Sequence, residues 1–177
     1  LKLMEGRMVD IATIAEGRLT TESGVALSTS DRTNQTTIYY TPYKGNRISL
    51  YNGTKWTVTT FTERSLALSG LTANTNYDVF LYDNSGTLTL ELTAWSTDTA
   101  RATALLSQDG VYVKTGATTR RYLGTIRTTS TTQTQDSRAQ RFVWNYQNRL
   151  ARTVYVAEGT NTWTYTTNTW RAANNST

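Results

Sequence analysis

The stretch Arg47-Ile48-Ser49-Leu50-Tyr51-Asn52-Gly53-Thr54-Lys55-Trp56-Thr57-Val58-Thr59-Thr60-Phe61 alternates apolar and polar side chains on either side of an Asn-Gly pair. Successive side chains leave a strand on opposite faces, so a period of two is the mark of a half-buried strand. Asn-Gly tolerates positive φ at consecutive positions and predicts a two-residue type I′ loop between two antiparallel strands. The same logic gives a second hairpin, Tyr77 to Tyr82 and Thr87 to Trp95, around Asp83-Asn84-Ser85-Gly86. In its second arm Leu88, Leu90, Leu92 and Ala94 face a core, while Thr89, Glu91 and Thr93 face away.

Working outward, Thr37 to Tyr43 predicts a strand ending at Pro42, the only proline, where a missing N–H is tolerated. Val111 to Lys114, Tyr122 to Thr128, Arg138 to Tyr146 and Arg149 to Val156 predict further strands, with a turn at Asp109-Gly110. Residues 100–108 (ARATALLSQ) fit one short helix, and residues 128–137 (TTSTTQTQDS) read as a polar loop. Eight or more short strands at this spacing imply an all-β, antiparallel sandwich or jelly roll.

Three regions are expected. Residues 1–19 form an N-terminal arm, short helix or stalk end: Leu1, Met4, Met8, Ile11 and Ala15 recur at helical spacing, and Val9, Ile11 and Thr13 also alternate. Residues 20–156 form the β-sandwich domain. Residues 157–177 form a C-terminal β extension in which Trp163 and Tyr165 alternate with threonines.

Composition narrows the chemistry. About one residue in five is threonine, a β-branched side chain suited to pleated surfaces, and there is no cysteine and no histidine. That removes disulfides, a thiol nucleophile, a Ser-His-Asp triad and the soft ligands of zinc sites. Phosphate-cradling glycine loops are absent too. Asp78, Asp83, Glu91 and Asp98 are the carboxylates a glycosidase would draw on, but their spacing does not pair them, and Asp83-Asn84-Ser85-Gly86 is turn chemistry. A calcium loop from Asp83, Ser85, Thr87 and Glu91 lacks the EF-hand pattern. No enzymatic activity, cofactor or metal is expected.

Charge is uneven. Residues 1–100 carry 8 Lys+Arg against 10 Asp+Glu, and residues 101–177 carry 10 against 3. A net +7 half fits a mixed solvated surface with arginine used for intersubunit pairing, or an acidic protein partner, an acidic glycan or nucleic acid. Nucleic acid is set aside because Phe142, Trp144 and Tyr146, spaced by two, share one face and form core, leaving Arg141 and Asn145 outward. No apolar run reaches the length of a membrane span.

Several long motifs occur in order: Ile38-Tyr39-Tyr40-Thr41-Pro42-Tyr43-Lys44-Gly45-Asn46-Arg47-Ile48, Leu50-Tyr51-Asn52-Gly53-Thr54-Lys55-Trp56, Tyr82-Asp83-Asn84-Ser85-Gly86-Thr87-Leu88, Gln108-Asp109-Gly110-Val111-Tyr112-Val113-Lys114, Arg120-Arg121-Tyr122-Leu123-Gly124-Thr125-Ile126, and Trp163-Thr164-Tyr165. Across residues 18–175 the chain resembles a module of tailed-bacteriophage virion proteins. The resemblance implies a non-enzymatic structural protein on the particle surface, a head decoration (cement) or fibre component. Chains of that family run on past the equivalent of Thr177, and together with a start at Leu1 rather than Met this leads one to expect a segment of a larger protein.

Such proteins draw stability from intersubunit burial, so a homotrimer is expected. Further partners would be the major capsid protein or a fibre-anchoring protein. The alternative is a tail-fibre adhesin gripping a host surface glycan. Candidate assembly contacts are Met4, Met8 and Ile11 from the arm, Arg120, Arg121, Arg149 and Arg152 from the basic half, and Trp163 and Trp170 from the tail. The tail aromatics are expected to cover a neighbouring sheet or the next subunit.

Overall fold

Two-residue turns at positive φ set the corners of the larger sheet. The computed structural model describes residues 11–155. A single 3-10 turn (Ile11–Thr13) precedes β1 (Gly17–Thr20), β2 (Arg32–Gln35), β3 (Thr37–Pro42), β4 (Arg47–Tyr51), β5 (Trp56–Thr60), β6 (Arg64–Ala67), β7 (Asn76–Asn84), β8 (Thr87–Ala94), β9 (Leu105–Gln108), β10 (Val111–Lys114), β11 (Ala117–Arg127), β12 (Thr134–Asp136) and β13 (Val143–Asn145). Neighbours pair antiparallel throughout. Among the described residues no helix is long and apolar enough to cross a membrane.

The fold is an antiparallel β-sandwich. A six-stranded sheet runs β8-β7-β11-β10-β9, with β13 on the remainder of the β11 edge. Against it lie a three-stranded sheet, β1-β3-β6, and the ribbon β4-β5, while the ribbon β12-β2 meets the end of β11 through a bridge between Thr134 and Thr128. Leu19, Ile38, Tyr40, Ile48, Leu50, Phe61 and Leu68 from the smaller sheets and their loops meet Tyr77, Val79, Leu81, Leu90, Leu123 and Ile126 in one buried core. Leu88, Leu92 and Ala94 pack on it as the alternation of β8 predicts.

β11 carries a bulge between Tyr122 and Gly124. One extra residue inverts the parity of the strand beyond it, so Leu123 and Ile126 both reach the core while Tyr122 and Thr125 share the opposite face. Gly124 is needed there because a Cβ would run into the carbonyl oxygen of Trp144 on β13.

Several expectations are corrected. Asn52-Gly53 is not a type I′ loop: only Gly53 has positive φ (99°), and Asn52 Oδ1 accepts the N–H groups of Thr54 and Lys55, both at 2.9 Å. The loop residues Ser85-Gly86 (φ 52° and 91°) and Asp109-Gly110 (50° and 77°) do have the two positive φ values. The second of these turns folds Leu105–Gln108 back on β10, so the stretch read as a helix is strand β9. The polar loop contains β12, paired with the equally polar β2, which no apolar alternation marks. Only Val143–Asn145 of the strand predicted over 138–146 forms, and residues 149–155 are irregular. The arm boundary at residue 19 also moves: Ala12 and Leu19 are buried and Ala15 bridges Ile48, so residues 11–19 belong to the sandwich. The predicted 157–177 extension lies outside the described residues.

Candidate functional site

β13 decides where the basic half points. Its parity is opposite to expectation: Val143 packs on the core, Asn145 turns inward, and Trp144 is 44% exposed. The cause is the Asn145 amide, whose Oδ1 accepts from Leu19 N–H (2.6 Å) and whose Nδ2 donates to the Leu19 carbonyl (3.0 Å). That ties β13 to β1 and opens a groove of about 310 Å³ between them.

Four guanidinium groups line this groove, from Arg18, Arg141, Arg149 and Arg152, with Asp136 as the one carboxylate among the described residues of its wall. Asp136 Oδ1 pairs with Arg141 Nη1 at 3.3 Å and Oδ2 with Arg152 Nη2 at 3.7 Å. Arg141 also donates twice to the Thr153 carbonyl, and Arg152 donates to Ser28 O at 2.9 Å. Arg18 is buried, donating through Nε to Ala26 O (3.2 Å) and through Nη1 to Asn148 O. Burial holds its pKa below the ordinary arginine value; Tyr43 and Asp136 oppose that shift and the Arg152 charge adds to it. Arg149 is exposed, with Nε on the Tyr146 carbonyl at 3.0 Å and its charge over the Tyr146 ring. Ala26, Leu150 and Val154 complete the walls.

Elsewhere the carboxylates hold strands together. Asp78, buried in β7, accepts from Arg101 Nε (2.6 Å) and Thr125 Oγ1 (2.8 Å). Glu91 sits between Lys114 Nζ (2.5 Å) and Arg120 Nε (3.0 Å), and Asp98 pairs with Arg127 at 2.8 Å. Asp83 Oδ1 accepts the Gly86 N–H within its turn. No group of three or more potential metal ligands occurs among the described residues.

The outer face of the six-stranded sheet is aromatic. Tyr112 and Tyr146 lie 5.2 Å apart, Tyr146 and Tyr122 5.6 Å, and Arg101 covers Trp95 at 4.5 Å. Together Tyr112, Tyr122, Tyr146 and Arg101 border an open concavity of about 540 Å³.

Comparison with protein-family models, curated proteins and solved structures found no match for this chain.

The predicted contact residues separate on the structure. Arg149 and Arg152 come together in the groove, joined by Arg18 and Arg141, which had not been singled out. Arg120 is engaged with Glu91 and lies over Tyr82. Arg121 is corrected: it is 1% exposed and cannot meet another molecule in this conformation. Its Nη1 donates to Ala12 O (2.8 Å) and Ser49 O (2.6 Å), and Nη2 to Thr13 O (3.5 Å). Ile11, 54% exposed, opens the 3-10 turn. Met4, Met8, Trp163 and Trp170 lie outside the described residues. Arg18 could have been suspected from sequence, because it opens the alternating region beside a strand-forming Leu19. Its convergence with residues 130 positions later is a product of topology alone.

Proposed function

We propose that this chain is a non-enzymatic structural component of the exterior of a tailed-bacteriophage particle, a capsid decoration or fibre module working as a homotrimer. One observation carries the reading. Of the acidic groups that a hydrolase would use, Asp78, Glu91 and Asp98 are engaged in ion pairs and Asp83 in its own turn, whereas the side chains facing outward around the groove are arginine and apolar, among them Trp144, Leu150 and Val154. Arginine and aromatic residues in a desolvated setting are the composition of protein interfaces. The motif resemblance supplies the setting, and the +7 half gives steering toward an acidic capsid exterior. Its partners would be further copies of itself and the major capsid or a fibre-anchoring protein.

A second reading, an adhesin for a host glycan, is favoured by the tyrosine-lined concavity with Arg101 at its edge, since aromatic rings stack on sugars. Labelled protein incubated with capsids stripped of accessory proteins, and in parallel with intact host cells, separates the two. Saturable binding to capsids alone is the expected outcome. Binding to cells alone, competed by soluble surface polysaccharide, would replace the assembly reading with the adhesin.

A further inference from the structure

We infer that the groove between β1 and β13 is a carboxylate-binding site, and that its ligand is an Asp or Glu side chain on an acidic segment of a partner protein. Charge comes first. Four guanidinium groups surround one carboxylate, and both oxygens of Asp136 are already engaged, by Arg141 and Arg152. Arg18 is buried with no salt bridge to any described residue, and its burial disfavours the cation more than Tyr43 and Asp136 favour it. An incoming anion relieves this desolvated excess, and guanidinium forks match a carboxylate in geometry.

Hydrogen-bonding capacity then selects the class of anion. Several acceptors on the groove wall already hold a donor: Asn145 Oδ1 the Leu19 N–H, Thr20 Oγ1 the Glu22 N–H, and Ser28 O an Arg152 N–H. What remains is donors, on Arg18, Arg149 and Arg152, set between the aliphatic walls Leu150 and Val154. A neutral sugar brings no charge to offset four guanidinium groups set around one carboxylate. An ionised carboxylate on an aliphatic stem is acceptor-only at its head and apolar behind it, which fits both features. That the partner is a particle protein rests on the assembly reading above; the carboxylate site does not.

The test is titration of the full chain with poly-L-glutamate, monitored by NMR of the Trp144 indole and the arginine side chains, with polygalacturonate and inorganic sulfate as comparison probes. Poly-L-glutamate is expected to bind saturably at this groove and more tightly than either comparison probe. Arg149→Gln is expected to weaken it roughly ten-fold, the loss of one charge-assisted bond. Arg149 makes only a backbone contact and a ring contact among the described residues, so that variant keeps the fold, whereas Arg18→Gln needs a circular dichroism control. Unchanged affinity in Arg149→Gln, or polygalacturonate or sulfate binding as tightly as poly-L-glutamate, would overturn the proposal. Capsid binding that survives with no poly-L-glutamate binding would remove the site and leave the assembly reading. Poly-L-glutamate binding without capsid binding would do the reverse.

Discussion

Arg120 and Arg121 are adjacent, and a strand sends neighbours to opposite faces. The sequence therefore allowed only one of them a place on the outer face of β11, a constraint that the appearance of a basic patch conceals. Arg121 is the inward one, and it acts as a clamp: its guanidinium gathers carbonyls from the 3-10 turn and from β4, adding to the bridge that Ala15 makes with Ile48. Burial pulls its pKa down to about 10, with the Tyr40 hydroxyl opposing, so the cation persists at neutral pH. Arg121→Met keeps the apolar length and loses the donors. It is expected to cost about 1–3 kcal/mol, with relief of the buried charge offsetting part of the lost bonds. A denaturant midpoint together with amide exchange at residues 11–14 measures this, and an unchanged midpoint with unchanged exchange would show that the clamp carries no weight.

Among the elements, the hairpins with a visible apolar alternation were legible and the all-polar strands were not. β7, β8 and β10 follow from their alternation and their turns. β2 and β12 pair through backbone alone, and β9 closes an Ala/Leu-rich run (residues 100–108) whose helical preference yields there to a two-residue turn. The ties between elements were equally hidden, because Glu91 meets Lys114 and Arg120 only once the four strands β8, β7, β11 and β10 are side by side. Burial pushes the Glu91 pKa up, but the bonds from Lys114 and Arg120 outweigh it and leave it below the ordinary 4.5. The folded state then binds fewer protons than the unfolded one. The tie contributes fully above the unfolded pKa and is lost as pH falls through the folded value. Glu91→Gln is expected to lower stability at neutral pH by about 1 kcal/mol after solvent screening. It should also flatten the loss of stability as pH falls below the ordinary carboxylate value of 4.5. Parallel pH-dependent unfolding curves for the two proteins would show that Glu91 is not the group responsible.

For the whole molecule, composition and period sufficed to place the chain among antiparallel sandwiches, while the groove needed residues from both ends of the domain to meet. The same meeting leaves apolar surface uncovered. Val154 is 60% and Tyr155 62% exposed, beside Leu150 and Trp144, on a segment held by Arg141 and by a bond from Tyr155 N–H to the Arg138 carbonyl (2.7 Å). Scattered exposed apolar residues are ordinary on a monomer, but these fall within a dozen residues of one another and three of them line one groove. A homotrimer that covers them is the expected state, seen as a single trimer boundary in sedimentation velocity at micromolar concentration. Val154→Asp puts a charge at the most exposed apolar position of that groove wall, where a monomer loses little and an interface loses apolar burial. The variant is expected to shift toward monomer with its circular dichroism unchanged. Wild-type protein that stays a folded monomer at that concentration removes the trimer, and the apolar wall would then be part of the seat for the acidic partner alone.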